Sequence, residues 1–307
     1  MRESTKGLLF ISITVFLWST IEVMSKLISE DIDPLTIAFL RFFIGGIILL
    51  PFLIHYGRVG DWSRFGYREW TWLISLSFIG VTGTFVLYHK ALVWIDASSV
   101  ATLVSMVPLF AGPVSVIILK EKIGAIGIIG LILGGIGVLV LNISEGWEVN
   151  SILGIGVMVL AVFCFSLYSV LMKPLNTRMD YRVTTPLTLI IGSILMIPFL
   201  LMEGDPLVPF EVSAGSWAGM MYLSIFTVGV AYLFYFLGLK NIEVSRGSSL
   251  LYMKPALATV LAIIFIGEDP TLLRIISILL ISASVYFIIK QEKIESSVDR
   301  LLRGDEA

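Results

Sequence analysis

Along the chain, long apolar runs alternate with short polar or Gly/Pro-marked breaks. A helix needs roughly 20 predominantly apolar residues to cross the hydrocarbon core of a bilayer. Ten runs meet that length, near 7–28, 34–55, 70–92, 97–119, 124–142, 152–173, 181–202, 217–239, 245–266 and 270–290. The pattern predicts an all-α polytopic membrane protein of ten transmembrane helices, with the lipid bilayer as its solvent. The connections leave no room for a soluble domain, and the tail from Lys290 to Ala307 alternates in charge, as a solvated helix or a disordered segment would. The first run is read as a retained span, because its apolar stretch is too long for a signal peptide and no small-residue cleavage site follows.

Composition narrows the function class. Of 307 residues, 57% are hydrophobic and 14% charged, against about 45–50% and about 25% in soluble domains. The net charge of −2 comes with no basic block, which leaves no nucleic-acid partner. The lone cysteine, Cys164, lies in an apolar run, excluding a disulfide framework and a cysteine metal site. His55 and His89 are the only histidines and do not form His-Glu-x-x-His. There is no Gly-x-Gly-Asp aspartyl site and no Gly-rich phosphate loop. No catalytic residue, metal or cofactor is therefore expected, and ATP-driven transport by this chain alone is excluded. Most of the 21 Lys and Arg fall in the loops of one side, among them Arg58, Arg64, Arg68, Lys120, Lys122, Arg178, Arg182, Lys240 and Arg246. Positive charge stays on the cytoplasmic side, so a multi-pass protein of the cell membrane with both termini cytoplasmic is expected.

The two halves align without a gap at an offset of 147 positions. That offset pairs Gly7 with Gly154, Ser19 with Ser166, Lys26 with Lys173, Pro51 with Pro198, Trp70 with Trp217, Tyr88 with Tyr235, Ser98 with Ser245, Pro108 with Pro255 and Glu121 with Glu268. The reading divides the chain into a first five-helix repeat, 1–147, a second, 148–290, and a cytoplasmic tail, 291–307. Five spans is an odd number, so the second repeat must insert upside down. Inverted repeats are the architecture of secondary transporters, whose substrate site lies near the midplane between the repeats. Duplication for packing alone, as in some channels, is the alternative.

Motifs follow in a fixed order: Trp18-Ser19 with Lys26, repeated as Phe165-Ser166 with Lys173; Pro34-Leu35 leading to Leu40-Arg41; Tyr88 with Ala91-Leu92; then Pro108 and Glu121-Lys122. In order, spacing and duplication the chain resembles the EamA-type, ten-helix branch of the drug/metabolite transporter superfamily, from Gly7 to about Lys290. The resemblance implies export or exchange of small metabolites such as amino acids through a central cavity. It also implies that the first, third and fourth helices of each half line that cavity while the fifth packs outside. It implies no particular substrate.

Ionisable groups inside spans cost about 2.5–3.5 kcal/mol at a helix centre and usually face a cavity. The candidates are Glu22, Lys26, Arg41, His89, Lys90 and Lys254. Lys26 can snorkel and recurs as Lys173, and Arg41 belongs to the Leu-Arg motif, so both are assigned structural roles. Glu22, Lys90 and Lys254 have uncharged counterparts, Ser169, Leu237 and Val107. The fold can be built without charge there, which favours substrate binding or coupling over scaffold; a self-neutralising cluster is the alternative. Ser19 and Trp18 share the face of Glu22, and His89 and Tyr88 accompany Lys90. Trp18, Tyr88 and Tyr252 are expected in the cavity wall. Glu22 either couples protons, if burial raises its pKa, or stays ionised as a counter-ion to Lys254 or Lys90. Pro108 and Pro255 each remove a backbone hydrogen bond in mid-span, as alternating hinges or as fixed kinks. Gly130 and Gly134 suit close helix packing within the fold.

These residues point to a secondary transporter, an exporter or exchanger working by alternating access. Its substrate is a small molecule, an amino acid or organic acid. The rivals are a passive channel-like facilitator and a membrane sensor or partner subunit. Monomer and homodimer both stay open.

Overall fold

The computed structural model describes residues 3–28, 31–57, 66–95, 100, 103–144, 151–209, 212–257, 260 and 271–303; the side chains of Glu22 and Lys26, and all of Ser98 and Glu268, lie outside the described residues. The described residues form helices joined by short non-helical stretches, with no strand among them. In chain order the elements are α1 (Glu3–Trp18), α2 (Ile21–Ile28), α3 (Pro34–His55), α4 (Tyr67–Ala91), α5 (Leu103–Leu119), α6 (Ala125–Ser144), α7 (Ile152–Arg178), α8 (Tyr181–Glu203), α9 (Ala214–Asn241), α10 (Val244–Ser249) and α11 (Leu272–Arg303). Among the described residues, six segments are apolar and long enough to cross a membrane: α3, α4, α7, α8, α9 and residues Leu272–Gln291 of α11. The chain is a multi-pass membrane protein.

The first and ninth runs are broken rather than continuous helices. Between α1 and α2 the chain turns at Ser19–Thr20, where the Ser19 hydroxyl donates to the Val15 carbonyl (2.7 Å) and the Thr20 hydroxyl to the Leu17 carbonyl (2.7 Å). Such back-bonding competes with the helical ladder and bends helices. In the ninth run, α10 gives way to a 3-10 turn, Leu250–Tyr252, before helical residues 253–257. The mirror of that turn, residues 103–105, is followed by a turn at Met106. Pro108 and Pro255 therefore sit just beyond matching irregularities; Pro108 occupies the first turn of the resumed helix, where a missing N–H costs least.

Contacts recur with the halves exchanged. Ser19 Oγ donates to the carbonyl of Lys254 (3.4 Å), and its mirror Ser166 Oγ donates to the carbonyl of Val107 (3.2 Å). A Cβ on Gly45 would fall 2.8 Å from the carbonyl oxygen of Ser224 and crowd Val228; one on Gly192 would fall 2.9 Å from the carbonyl oxygen of Ser77 and crowd Val81. All ten positions form pairs related by 147, so the duplicated sequence builds the same contacts twice about a two-fold relation. Glycine is required there because two backbones meet. Both receiving stretches are π-helical, Phe78–Gly83 within α4 and Leu223–Val230 within α9.

The fifth helices of the two halves, α6 and α11, pack on each other. Gly130 and Gly134 face Ser284 and Ile288, and Ser284 Oγ donates to the Gly130 carbonyl (2.6 Å). The small-residue spacing serves packing within the fold.

Candidate functional site

A cavity of about 660 Å³ lies between the two repeats, within the range of about 300–1,000 Å³ typical of small-molecule sites. Its walls come from α1, α2, α3, α4, α5, α7, α9 and the ninth segment. Among the described lining residues none comes from α6 or α11. The second helix, α3, is an unforeseen wall, contributing Pro34, Ile37, Ala38, Arg41 and Phe42.

Six of the lining residues are aromatic: Trp18, Phe42, Phe85, Tyr88, Phe165 and Tyr232. Phe42 touches Phe85 (centroids 4.5 Å apart) and Tyr232 (5.6 Å); Trp18 meets Tyr232 (5.3 Å) and Phe165 (5.9 Å) edge-on, and Phe85 leads to Tyr88 (6.2 Å). Edge-to-face pairs at these separations fix ring orientation. Trp18 is pinned further, since its indole Nε1 donates to the Thr227 carbonyl (2.8 Å) in the π-helical stretch of α9. π-Helical turns free carbonyls from the regular ladder and recur at functional sites. Here that stretch supplies both the Trp18 anchor and the lining residues Thr227 and Val228.

Ionisable side chains enter this wall from three places. Lys254 lines the cavity beside Leu251. Arg41 is 7% exposed and lines it too, its guanidinium lying 5.1 Å from the Phe42 ring centre and 4.8 Å from that of Phe85. His89 lines it from the C-terminal end of α4, with Nδ1 buried and without a hydrogen-bond partner among the described residues. Among the described lining residues there is no Asp or Glu.

Of the residues singled out in sequence, Trp18, Tyr88, His89 and Lys254 meet at this cavity. Ser19 is buried next to it and holds the Lys254 backbone. Lys90 and Tyr252 stand elsewhere. Lys90 turns away on α4 to form an ion pair with Glu203 at the end of α8. Tyr252 is fully buried and donates to the Leu131 carbonyl (2.9 Å), with its ring against Gly134; it joins the ninth segment to α6 rather than facing the cavity. The Glu22 side chain lies outside the described residues.

At the end of the bundle away from His89, three segments are tied together. α7 begins beside Trp94 and Ile95, which its Gly154 touches, so its C-terminal part, with Lys173, lies at the opposite end from the close of α4. There Lys173 Nζ donates to Glu121 Oε1 (2.9 Å) and to the Ile242 carbonyl (2.8 Å). The same carboxylate accepts the backbone N–H groups of Val244 (2.9 Å) and Ser245 (3.2 Å) at the start of α10. Glu121 can reach them because α5 stops at Lys120, which adopts a left-handed conformation (φ 55°). Burial pushes the Glu121 carboxyl up, but the Val244 N–H, the Lys173 ammonium and the Ser245 N–H outweigh it and hold it below the ordinary value of 4.5.

The EamA-like transporter family model matches residues 5–143 and again residues 152–290. Both ends of the two matches differ by 147 positions, the offset of the sequence repeat. An uncharacterized transporter of Clostridium kluyveri is 29% identical over 271 residues, covering 86% of this chain and 86% of the relative. One of Archaeoglobus fulgidus is 24% identical and covers 92% of this chain and 97% of its own. The uncharacterized transporter YvbV of Bacillus subtilis is 26% identical, covering 95% and 94%. A crystal structure of 20% identity superposes with a TM-score of 0.80 over 92% of this chain and 97% of that one, which shows a shared fold. The chain belongs to the EamA-like transporter family.

Proposed function

We propose that the protein is a secondary transporter that moves a small amino acid or organic acid by alternating access around the cavity between its repeats. The observation that carries this reading is the cavity itself. It has the size of a metabolite site, lies between the repeats, and offers Arg41 and Lys254 in an aromatic wall. Two cationic side chains in that wall favour a solute that carries a carboxylate.

In this reading the chain spans the membrane ten times, the second repeat is inverted, and both termini are cytoplasmic by their positive loops. The Glu121–Lys173 network then lies on the cytoplasmic side, and the lining residues Pro34, His89 and Leu92 mark the outer side. This would be an outward-facing arrangement with the inner side closed. Export or exchange is the proposed direction. Glu22 is proposed as the coupling carboxylate or as counter-ion to Lys254, and Pro108 and Pro255 as the points where the fourth helices bend.

The test is a thermal-shift screen of the purified protein against amino acids, organic acids, nucleosides and sugar phosphates. A ligand that binds only the folded state raises its apparent stability. Amino acids or organic acids are expected to raise the melting temperature, and Lys254→Met is expected to fold yet lose that shift. Stabilisation by sugar phosphates or nucleosides alone would overturn the substrate class.

A further inference from the structure

We propose that the start of α4 and the end of α7 form a docking site for an anionic phospholipid, with Arg68 and Arg178 on its phosphate and the exposed face of α4 along an acyl chain. The inference depends on the chain's place in a membrane and not on the transport reading above.

The site is an open groove of about 380 Å³, lined by Tyr67, Arg68, Thr71 and Trp72. It shares no residue with the cavity between the repeats. Arg178, the last residue of α7, lies over the half-buried Trp72 ring, its guanidinium 5.7 Å from the ring centre. Guanidiniums from two helices therefore meet at one groove, and contact with the indole orients one of them before a ligand arrives. Glu69 stands beside Arg178, but its Oε1 is 3.6 Å away, longer than a hydrogen bond, and the Arg178 side chain stays 47% exposed. The charged groups of the first turn of α4, the last turn of α7 and the start of α8 are Arg68, Arg178 and Arg182 against Glu69 and Asp180. That balance is positive. Asp180 is also occupied, accepting the Arg182 N–H at 2.9 Å.

The rest of the face says what kind of anion fits. Tyr67, Trp70 and Trp72 cluster at the end of a membrane-crossing helix, where such rings sit at headgroup level. An arginine at that level meets phosphate, and its planar fork bonds phosphate oxygens in pairs. The Thr71 hydroxyl donates to the Tyr67 carbonyl (2.9 Å), so recognition falls to the two arginines. Farther along α4 the exposed face turns apolar. Tyr67, Thr71, Ile74 and Phe78 follow at steps of four, three and four, and all are exposed. One face thus runs from cation through aromatic ring to apolar side chain, the order of a phospholipid's own parts. A soluble phosphate would use only its first turn. In the ten-span reading this end is cytoplasmic, the side whose leaflet is rich in anionic lipid.

The test is native mass spectrometry of the full-length, delipidated protein in detergent, titrated with phosphatidylglycerol or with phosphatidylcholine of the same acyl chains. Wild-type protein is expected to retain phosphatidylglycerol more tightly. Arg68→Gln, at an exposed position, should fold and weaken that lipid about fivefold, the share of one basic residue at an anionic surface. Arg178→Gln should do the same, and the double variant should bind both lipids alike. Arg178→Lys should recover part of the loss, and it serves if Arg178→Gln fails to fold. Glu69→Gln removes the competing carboxylate and should tighten phosphatidylglycerol, which a merely structural role for the Glu69–Arg178 pair would not produce. Equal retention of the two lipids by wild-type protein would overturn the proposal. So would a preference for phosphatidylglycerol that survives in the double variant. Displacement of the lipid by sn-glycerol 3-phosphate at equal concentration would mark a site for free phosphate esters and overturn the assignment to a lipid.

Discussion

At the scale of single residues, cost inside a membrane is what makes a side chain legible. Lys254 and His89 stood out in sequence because an apolar span carries polar groups reluctantly, and both line the cavity. Lys90 stood out by the same rule but pairs with Glu203. When a helix is apolar on nearly every side, its sequence does not fix its rotation about its axis, and one position along α4 separates the cavity from an ion pair. Tyr252 illustrates the same limit. Its hydroxyl reaches the Leu131 carbonyl across to α6, a contact between segments 121 positions apart that no local pattern marks. Tyr252→Phe should therefore cost about 1 kcal/mol of stability, the net worth of one hydrogen bond, and leave solute binding unchanged; chemical denaturation and the thermal-shift assay read the two quantities. Arg41 was visible as a charge in a span, but its membership of a motif hid its position in the wall. Phe42 and Phe85 carried no signal among 19 phenylalanines, and Phe165 only as the mirror of Trp18 in the repeat.

At the scale of elements, span positions followed from the length of apolar runs, and departures from regular helix did not. The break at Ser19–Thr20 goes with hydroxyl back-bonding inside its own segment, while the π-helical stretches in α4 and α9 receive close glycine contacts from other segments. Each shapes the cavity or its surroundings. The element that closes the opposite end is short: α10 begins on the Glu121 carboxylate, which also holds Lys173 of α7 and so ties three segments together. Because the folded protein holds this carboxyl below its ordinary value of 4.5, the unfolded chain binds the proton more readily. The stabilisation is present above about pH 4.5 and is lost as pH falls through the folded value. Glu121→Gln should lower the melting temperature at pH 7 and flatten its decline between pH 6 and pH 4, pH values chosen to bracket the ordinary glutamate range of about 4.3. Parallel melting curves for variant and wild type across that range would show that the carboxylate does not hold this end.

At the scale of the whole molecule, the duplicated sequence is the feature that organises everything else. The offset of 147 reappears in the paired serine bonds to Lys254 and Val107, in the paired glycine contacts of Gly45 and Gly192, and in the bounds of the two family matches. The halves differ in the cations that line the cavity: Lys254 where its mirror is Val107, and Arg41 where its mirror is Thr188. A symmetric frame holding an asymmetric, cationic, aromatic cavity is what a carrier with one solute site requires, since two related halves can rock about it while the site stays at the centre. A passive pore has no need of such an exchange. The direct measurement is counterflow in proteoliposomes: vesicles loaded with unlabelled solute from the class that stabilises the protein, then diluted into a trace of the labelled form. A carrier predicts label accumulating transiently above its equilibrium level, faster with solute inside than without, and lost in Lys254→Met. Uptake that is indifferent to the internal solute and never exceeds equilibrium would contradict the account.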